Sequence, residues 1–237
     1  MLEVPIEKDV IIACDFDSAE QTFRFLDKFH GKKPFVKIGM ELFYAEGPQI
    51  VRDIKARGHQ IFLDLKLHDI PNTVTKAMRV LSRLDVDMTN LHAAGAGAMM
   101  KGAVEGLTRP DGTRPLLIAV TQLTSIKEEV MQKELRIAGS LEETVMAYAQ
   151  NARASGLDGV VCSPLEAGAV HAACGADFIT VTPGVRFADG DVGDQARVTT
   201  PARAKELGSN FIVVGRAITA AEDPVGAYTR CLDEFMG

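Results

Sequence analysis

Short apolar runs rich in β-branched residues recur at residues 10–14, 35–38, 60–64, 87–91, 116–120, 159–162, 178–181 and 211–214. Runs of this length, apolar without alternation, suit strands buried on both faces, as in a parallel sheet. Between them lie longer stretches with helical spacing of apolar residues, among them residues 18–30, 73–84, 141–155 and 201–207. Ser18 with Gln21, and Ser140 with Glu143, predict capping boxes, and Gly58, Gly156 and Gly208 fall where helices should stop. Residues 121–140 predict an additional surface helix, and residues 186–197, rich in Gly and Asp, predict a mobile loop acting as a lid. Strand and helix alternating eight times in 237 residues predict an α/β fold, a (β/α)8 TIM barrel occupying residues 1–237 as a single domain. The first strand ends Ala13-Cys14-Asp15-Phe16-Asp17 with no G-x-G-x-x-G, which argues against a doubly wound dinucleotide-binding sheet.

Composition narrows the function classes. The net charge of −6 and the lack of a long basic run leave no electrostatic footprint for nucleic acid, so an anionic ligand must be held by a few placed groups. No stretch reaches the roughly 18 apolar residues of a membrane helix, and the first residues lack a signal peptide's basic-then-apolar order, so the expectation is a cytoplasmic protein with no membrane partner. The four cysteines, Cys14, Cys162, Cys174 and Cys231, form no C-x-x-C pair; reduced, buried thiols are expected rather than a zinc site or disulfide framework.

A barrel of this kind builds its active site at the C-terminal ends of its strands, so the polar residues there carry the candidate chemistry. Asp15 ends the first run, Lys37 lies in the second, Asp64 and Lys66 end the third, Asn90 and His92 follow in the fourth, and residues 121–125 follow the fifth. Strand alternation puts Asp64 and Lys66 on one face and Leu65 and Leu67 on the other, fixing a carboxylate beside an ammonium. Lys37, flanked by Phe35, Val36 and Ile38, needs a carboxylate partner, and Asp64 on the next strand is the natural candidate. Each residue also has a structural reading: an Asp–Lys staple at a strand end, a helix-capping Asp15, a structural His92. The seventh and eighth units end Thr182-Pro183-Gly184-Val185-Arg186 and Val214-Gly215-Arg216-Ala217-Ile218. Glycines that admit backbone N–H groups, a helix start near Gly215 and the Arg216 guanidinium together predict a phosphate site, hence a phosphorylated small-molecule ligand.

These motifs, over essentially the whole chain, resemble orotidine 5′-phosphate decarboxylase of the bacterial type. The resemblance rests on Cys14-Asp15, Phe35-Val-Lys-Ile-Gly39, Asp64-Leu-Lys-Leu-His-Asp-Ile-Pro-Asn-Thr73, Leu123-Thr-Ser125, Thr182-Pro-Gly-Val-Arg186, Asp194-Gln195 and Val214-Gly-Arg216. The long third motif is highly specific, whereas Val-Gly-Arg alone is weak. The resemblance implies decarboxylation of orotidine 5′-phosphate (OMP) to uridine 5′-phosphate (UMP), the last step of de novo pyrimidine biosynthesis, without metal or cofactor. It implies an alternating array of Lys37, Asp64, Lys66 and Asp69, with Lys66 protonating carbon six of the ring. It also implies that Asp69 reaches, with Ile70 and Thr73, into a partner subunit's site, making a homodimer with shared active sites. Asp15 and Lys37 are implied as ribose ligands and Thr124 and Ser125 as neighbours of the pyrimidine. Gln195, Gly215 and Arg216 fall at the phosphate end, and Pro183 and Arg186 within the ligand-binding pattern. Ala217, where many bacterial members have proline, is a mild departure outside the charged array.

The chemistry accounts for such an array. Loss of carbon dioxide from the orotate ring leaves a carbanion in the ring plane with little conjugative relief, so fixed charges must stabilise it. Two other readings stay open from the sequence. One is a metal-dependent sugar-phosphate decarboxylase or aldolase on a related barrel, which should carry an acidic residue where Lys37 stands. The other is a non-catalytic barrel that binds a phosphorylated ligand.

Overall fold

The computed structural model describes residues 8–189 and 199–237. Eight strands, β1 (Asp9–Ala13), β2 (Phe35–Gly39), β3 (Ile61–Leu67), β4 (Met88–His92), β5 (Leu116–Val120), β6 (Gly159–Val161), β7 (Ile179–Thr182) and β8 (Phe211–Val214), pair in parallel and in chain order. β1 also pairs with β8, which closes the barrel and leaves no free sheet edge among the described residues. All eight predicted runs are strands, and the four predicted helical stretches hold the helices Ala19–Leu26, Pro71–Leu81, Leu141–Ala154 and Pro201–Glu206. The additional helix is a short one, Glu128–Lys133.

Strand alternation sorts the apolar residues into two cores. Val10, Ile12, Val36, Ile38, Ile61 and Leu63 face outward into the main core between strands and helices. Ile11, Ala13, Phe35, Phe62, Met88, Ile118, Val181, Phe211 and Val213 fill the barrel interior, where Phe35 and Phe211 meet edge to face at 6.1 Å between ring centroids. Because both faces are apolar along β1, β5 and β8, these strands read as nearly unbroken hydrophobic runs. The inward face then turns polar one pleat later: Asp15 lies two residues beyond Ala13, Lys37 beyond Phe35, Asp64 beyond Phe62 and Asn90 beyond Met88. The register that packs the interior therefore also raises these groups to the rim.

Helix ends follow the predictions with one exception. Ser140 Oγ accepts from the Glu143 N–H while the Glu143 carboxylate accepts from the Ser140 N–H, a full capping box. Gly58, Gly156 and Gly208 take φ of +87°, +87° and +91°, the left-handed conformation that ends a helix. Ser18, in contrast, makes no side-chain cap; Gln21 donates to Asp17, and the Ala19 N–H is satisfied by Glu46 from a later helix. A tertiary partner thus replaces the local one. Of the predicted mobile loop, residues 190–197 lie outside the described residues. No helix among the described residues is long and apolar enough to cross a membrane.

Candidate active site

At the C-terminal end of the barrel, a cavity of about 530 Å³ has a floor of Ala13, Phe62, Val120, Val161, Val181 and Val213, all inward-facing strand residues. Above this floor the cavity brings together Asp15, Lys37, Asp64, Lys66, Thr124, Ser125, Pro183, Arg186, Gly215 and Arg216. Most of the site predicted from sequence thus forms one lining.

The charged groups form a continuous chain. Lys37 Nζ donates to Asp15 Oδ1 at 2.9 Å and lies 3.3 Å from Asp64 Oδ2, while Lys66 Nζ donates to Asp64 Oδ1 at 2.6 Å. Asp64 is 7% exposed. Burial alone would push its carboxyl up; the charges of Lys37 and Lys66 and hydrogen bonds from Lys66 and Asn90 outweigh this and hold it below the usual carboxylate range. Burial likewise opposes the Lys37 charge, and Asp64 and then Asp15 overcome it, raising the Lys37 ammonium above its ordinary value. Gly39, at the end of β2, is part of the design: a Cβ there would lie 3.0 Å from Asp15 Oδ1 and 3.1 Å from Lys37 Nζ. Glycine leaves the ion pair its room.

Asp64 and Lys66 meet as predicted, but not through a regular pleat. Lys66 has φ +52°, and the β3–β4 register jumps from Leu63↔Thr89 to Leu67↔Leu91. A left-handed conformation costs a non-glycine residue about 1–2 kcal/mol, so other contacts must stabilise it. Asn90 provides them: its Oδ1 accepts from the Lys66 N–H at 2.8 Å and its Nδ2 donates to Asp64 Oδ1 at 2.7 Å. Asn90 stood out in the sequence only as one polar residue in the fourth run; its link to β3 depends on the bulge, which no local pattern announces.

His92, at the end of β4, is half-buried, with its ring 5.6 Å from that of His68. Burial, followed by the neighbouring His68 and Lys66 charges, lowers its pKa. Gln122, within the stretch 121–125 that the sequence places at the rim, is buried and lines the cavity two residues beyond the inward-facing Val120.

The predicted phosphate site differs in one respect from expectation. The helix after Gly215, Arg216–Thr219, is a single turn, so it offers N–H groups rather than a long helix's dipole. Gly184 has φ +79°, a backbone turn suited to glycine. Arg186 and Arg216 also line an adjoining cavity of about 610 Å³ with Phe187 and Arg230. Arg230 stacks over Phe187 at 4.2 Å and donates to Asp189.

Asp69, Ile70 and Thr73 are not among the lining residues of this cavity. They follow β3 at the rim; Asp69 Oδ1 accepts from the Ile70 N–H at 2.6 Å, and Ile70 is 66% exposed. Gln195, with the Asp194-Gln195 motif, lies outside the described residues.

The chain matches the Orotidine 5'-phosphate decarboxylase / HUMPS family over residues 8–231. It is 55% identical over 235 residues to the orotidine 5'-phosphate decarboxylase of Bacillus cytotoxicus, covering 98% of this chain and 99% of that one. Among solved structures, the orotidine 5'-phosphate decarboxylase of Lactobacillus acidophilus superposes with a TM-score of 0.87 at 43% identity, covering 98% of this chain and all of the other. An uncharacterized conserved protein from Geobacillus kaustophilus superposes with a TM-score of 0.85 at 48% identity, covering 95% and 99%.

Proposed function

Because the chain belongs to the orotidine 5′-phosphate decarboxylase / HUMPS family, we propose that its rim cavity decarboxylates OMP with Lys66 as the acid. The enzyme is a carboxy-lyase that converts OMP to UMP in pyrimidine biosynthesis. The single observation that carries the assignment of roles is the chain of contacts Asp15–Lys37–Asp64–Lys66 across three strand ends.

The geometry suits the chemistry. The bond between carbon six and the carboxylate breaks, its electron pair stays on carbon six, and carbon dioxide leaves. The Lys66 ammonium, held by Asp64, stabilises that charge as it develops and then transfers its proton, forming the new C–H bond. Enzymes lower barriers by about 8 to 23 kcal/mol, and this reaction calls for the upper part of that range. Preorganised charge on a buried strand end serves this demand because little reorganisation is needed during the reaction. Arg216, Gly215, Arg186 and Gln195 bind the phosphate end, Asp15 and Lys37 the ribose, and Thr124, Ser125 and Pro183 the region near the ring. Binding energy from the unreactive phosphate can then serve the reacting end.

The metal-dependent alternative is disfavoured by the donor set. The Lys37 ammonium lies between the Asp15 and Asp64 carboxylates, where a divalent cation would need oxygen ligands. The non-catalytic reading gives no reason to maintain a buried carboxylate between two ammonium groups. Purified protein is expected to deplete OMP, followed by absorbance, with the rate unchanged by a chelator. A rate that collapses with chelator, or no turnover at all, would overturn the reading.

A homodimer belongs to the same proposal. Asp69, Ile70 and Thr73 are exposed at the rim, as residues lent to a partner's cavity would be in one isolated chain. A cytoplasmic location belongs to it as well, supported by four buried cysteines that form no disulfide among the described residues.

A further inference from the structure

Asn90 is fully buried in β4 and faces the irregular part of β3. Between the pairs Leu63↔Thr89 and Leu67↔Leu91, β3 contributes Asp64, Leu65 and Lys66, whereas β4 contributes Asn90 alone. Its side-chain amide bridges that mismatch, accepting from the Lys66 N–H and donating to Asp64 Oδ1. Both contacts fix the orientation of the amide. Rotated by half a turn, it would present NH₂ to the Lys66 N–H and oxygen to the Asp64 carboxylate, two repulsions in place of two bonds. One residue earlier, the Thr89 hydroxyl donates to the Leu63 carbonyl, so side chains of β4 hold β3 where the backbone ladder is interrupted.

We propose that Asn90 is a positioning residue for the decarboxylation. It holds the left-handed Lys66 backbone and fixes the rotation of Asp64. One Asp64 oxygen then faces Lys66 while the other faces Lys37. Without the amide, Lys66 loses the bond that keeps its backbone in the bulge and Asp64 is free to turn, so Lys66 Nζ moves off the reacting carbon. This inference rests on the reading of Lys66 as the acid.

The decisive variant is Asn90→Asp, which keeps shape and changes charge. A protonated carboxyl reproduces both bonds, its carbonyl oxygen accepting from the Lys66 N–H and its O–H donating to Asp64. An ionised one repels Asp64. The groups facing it are Asp64 and Lys66 from β3, with Lys37 of β2 beyond Asp64 and His92 on its own strand, while its register partner on β5 is the apolar Ile118. Burial and the Asp64 charge both raise the pKa of the new carboxyl. At about pH 8 the variant should show a kcat roughly 100-fold below wild type, with KM for OMP and Kd for UMP within about threefold. The kcat deficit relative to wild type should shrink as pH falls toward about 6. Asn90→Ala, which cannot restore either bond, should show a deficit of similar size at every pH; if it does not fold, the Asn90→Asp profile decides alone. A pH-independent deficit in Asn90→Asp, a loss carried by KM, or inactivity at every pH would overturn the proposal. Wild-type turnover measured alongside keeps this outcome separate from failure of the functional reading, because Lys66→Ala tests the acid directly.

Discussion

Asp64 organises the site because its two oxygens are divided between two ammonium groups, with Asn90 fixing the division. If that charge pairing serves catalysis, Asp64→Asn should lower kcat by about 100-fold or more. Lys66→Ala should abolish turnover while UMP binding stays measurable by calorimetry; near-normal turnover would remove Lys66 as the acid. The same charges link stability to pH. The Asp64 pKa is lower in the folded than in the unfolded chain, so its contribution is present above the ordinary carboxylate value of about 4 and is lost as pH falls through the folded value. Urea midpoints should therefore drop below about pH 4, and Asp64→Asn should flatten that acid limb. Lys37, raised on folding, acts in the opposite sense: its contribution is present below the ordinary lysine range and is lost only as pH rises through the folded value.

The strand is the element that converts hydrophobic pattern into chemistry. On β1, β2 and β3, an inward apolar residue seats the barrel interior and the next inward residue, Asp15, Lys37 or Asp64, joins the charged lining. That regularity was readable because alternation is local. The bulge at Lys66 was not, since its dihedral is stabilised by an amide 24 positions away in sequence. Helix ends divide the same way. Ser140 and Glu143 cap each other within one turn, so Ser140→Ala should destabilise the protein by about 0.5–2 kcal/mol in chemical unfolding. Ser18→Ala should have a much smaller effect, because Glu46 already satisfies the Ala19 N–H. A cost at Ser18 equal to that at Ser140 would refute the difference.

For the whole molecule, barrel closure brings strand ends from the first half of the chain, carrying Asp15, Lys37, Asp64 and Lys66, beside those of the last two strands, followed by Pro183, Arg186, Gly215 and Arg216. The reacting and phosphate ends thus come from separate stretches of chain. Asp69 joins neither end within one chain, which leads to a test of assembly. Mixing inactive Lys66→Ala and Asp69→Ala subunits should restore measurable OMP turnover, since a hybrid dimer with shared sites contains one site retaining both residues. No recovery after verified subunit exchange would return Asp69 to a role within its own chain. The eight-fold strand and helix order, the capping box at Ser140 and the rim positions of Asp15, Lys37 and Asp64 were legible in the chain because each depends on a repeat of a few residues. Closure between β1 and β8, the Asn90 bridge, the space kept by Gly39 and the burial that sets the Asp64 and Lys37 charges depend on residues distant in sequence. Contacts of that kind come into being when the chain folds, and desolvation acts on a charge only after the surrounding walls are in place.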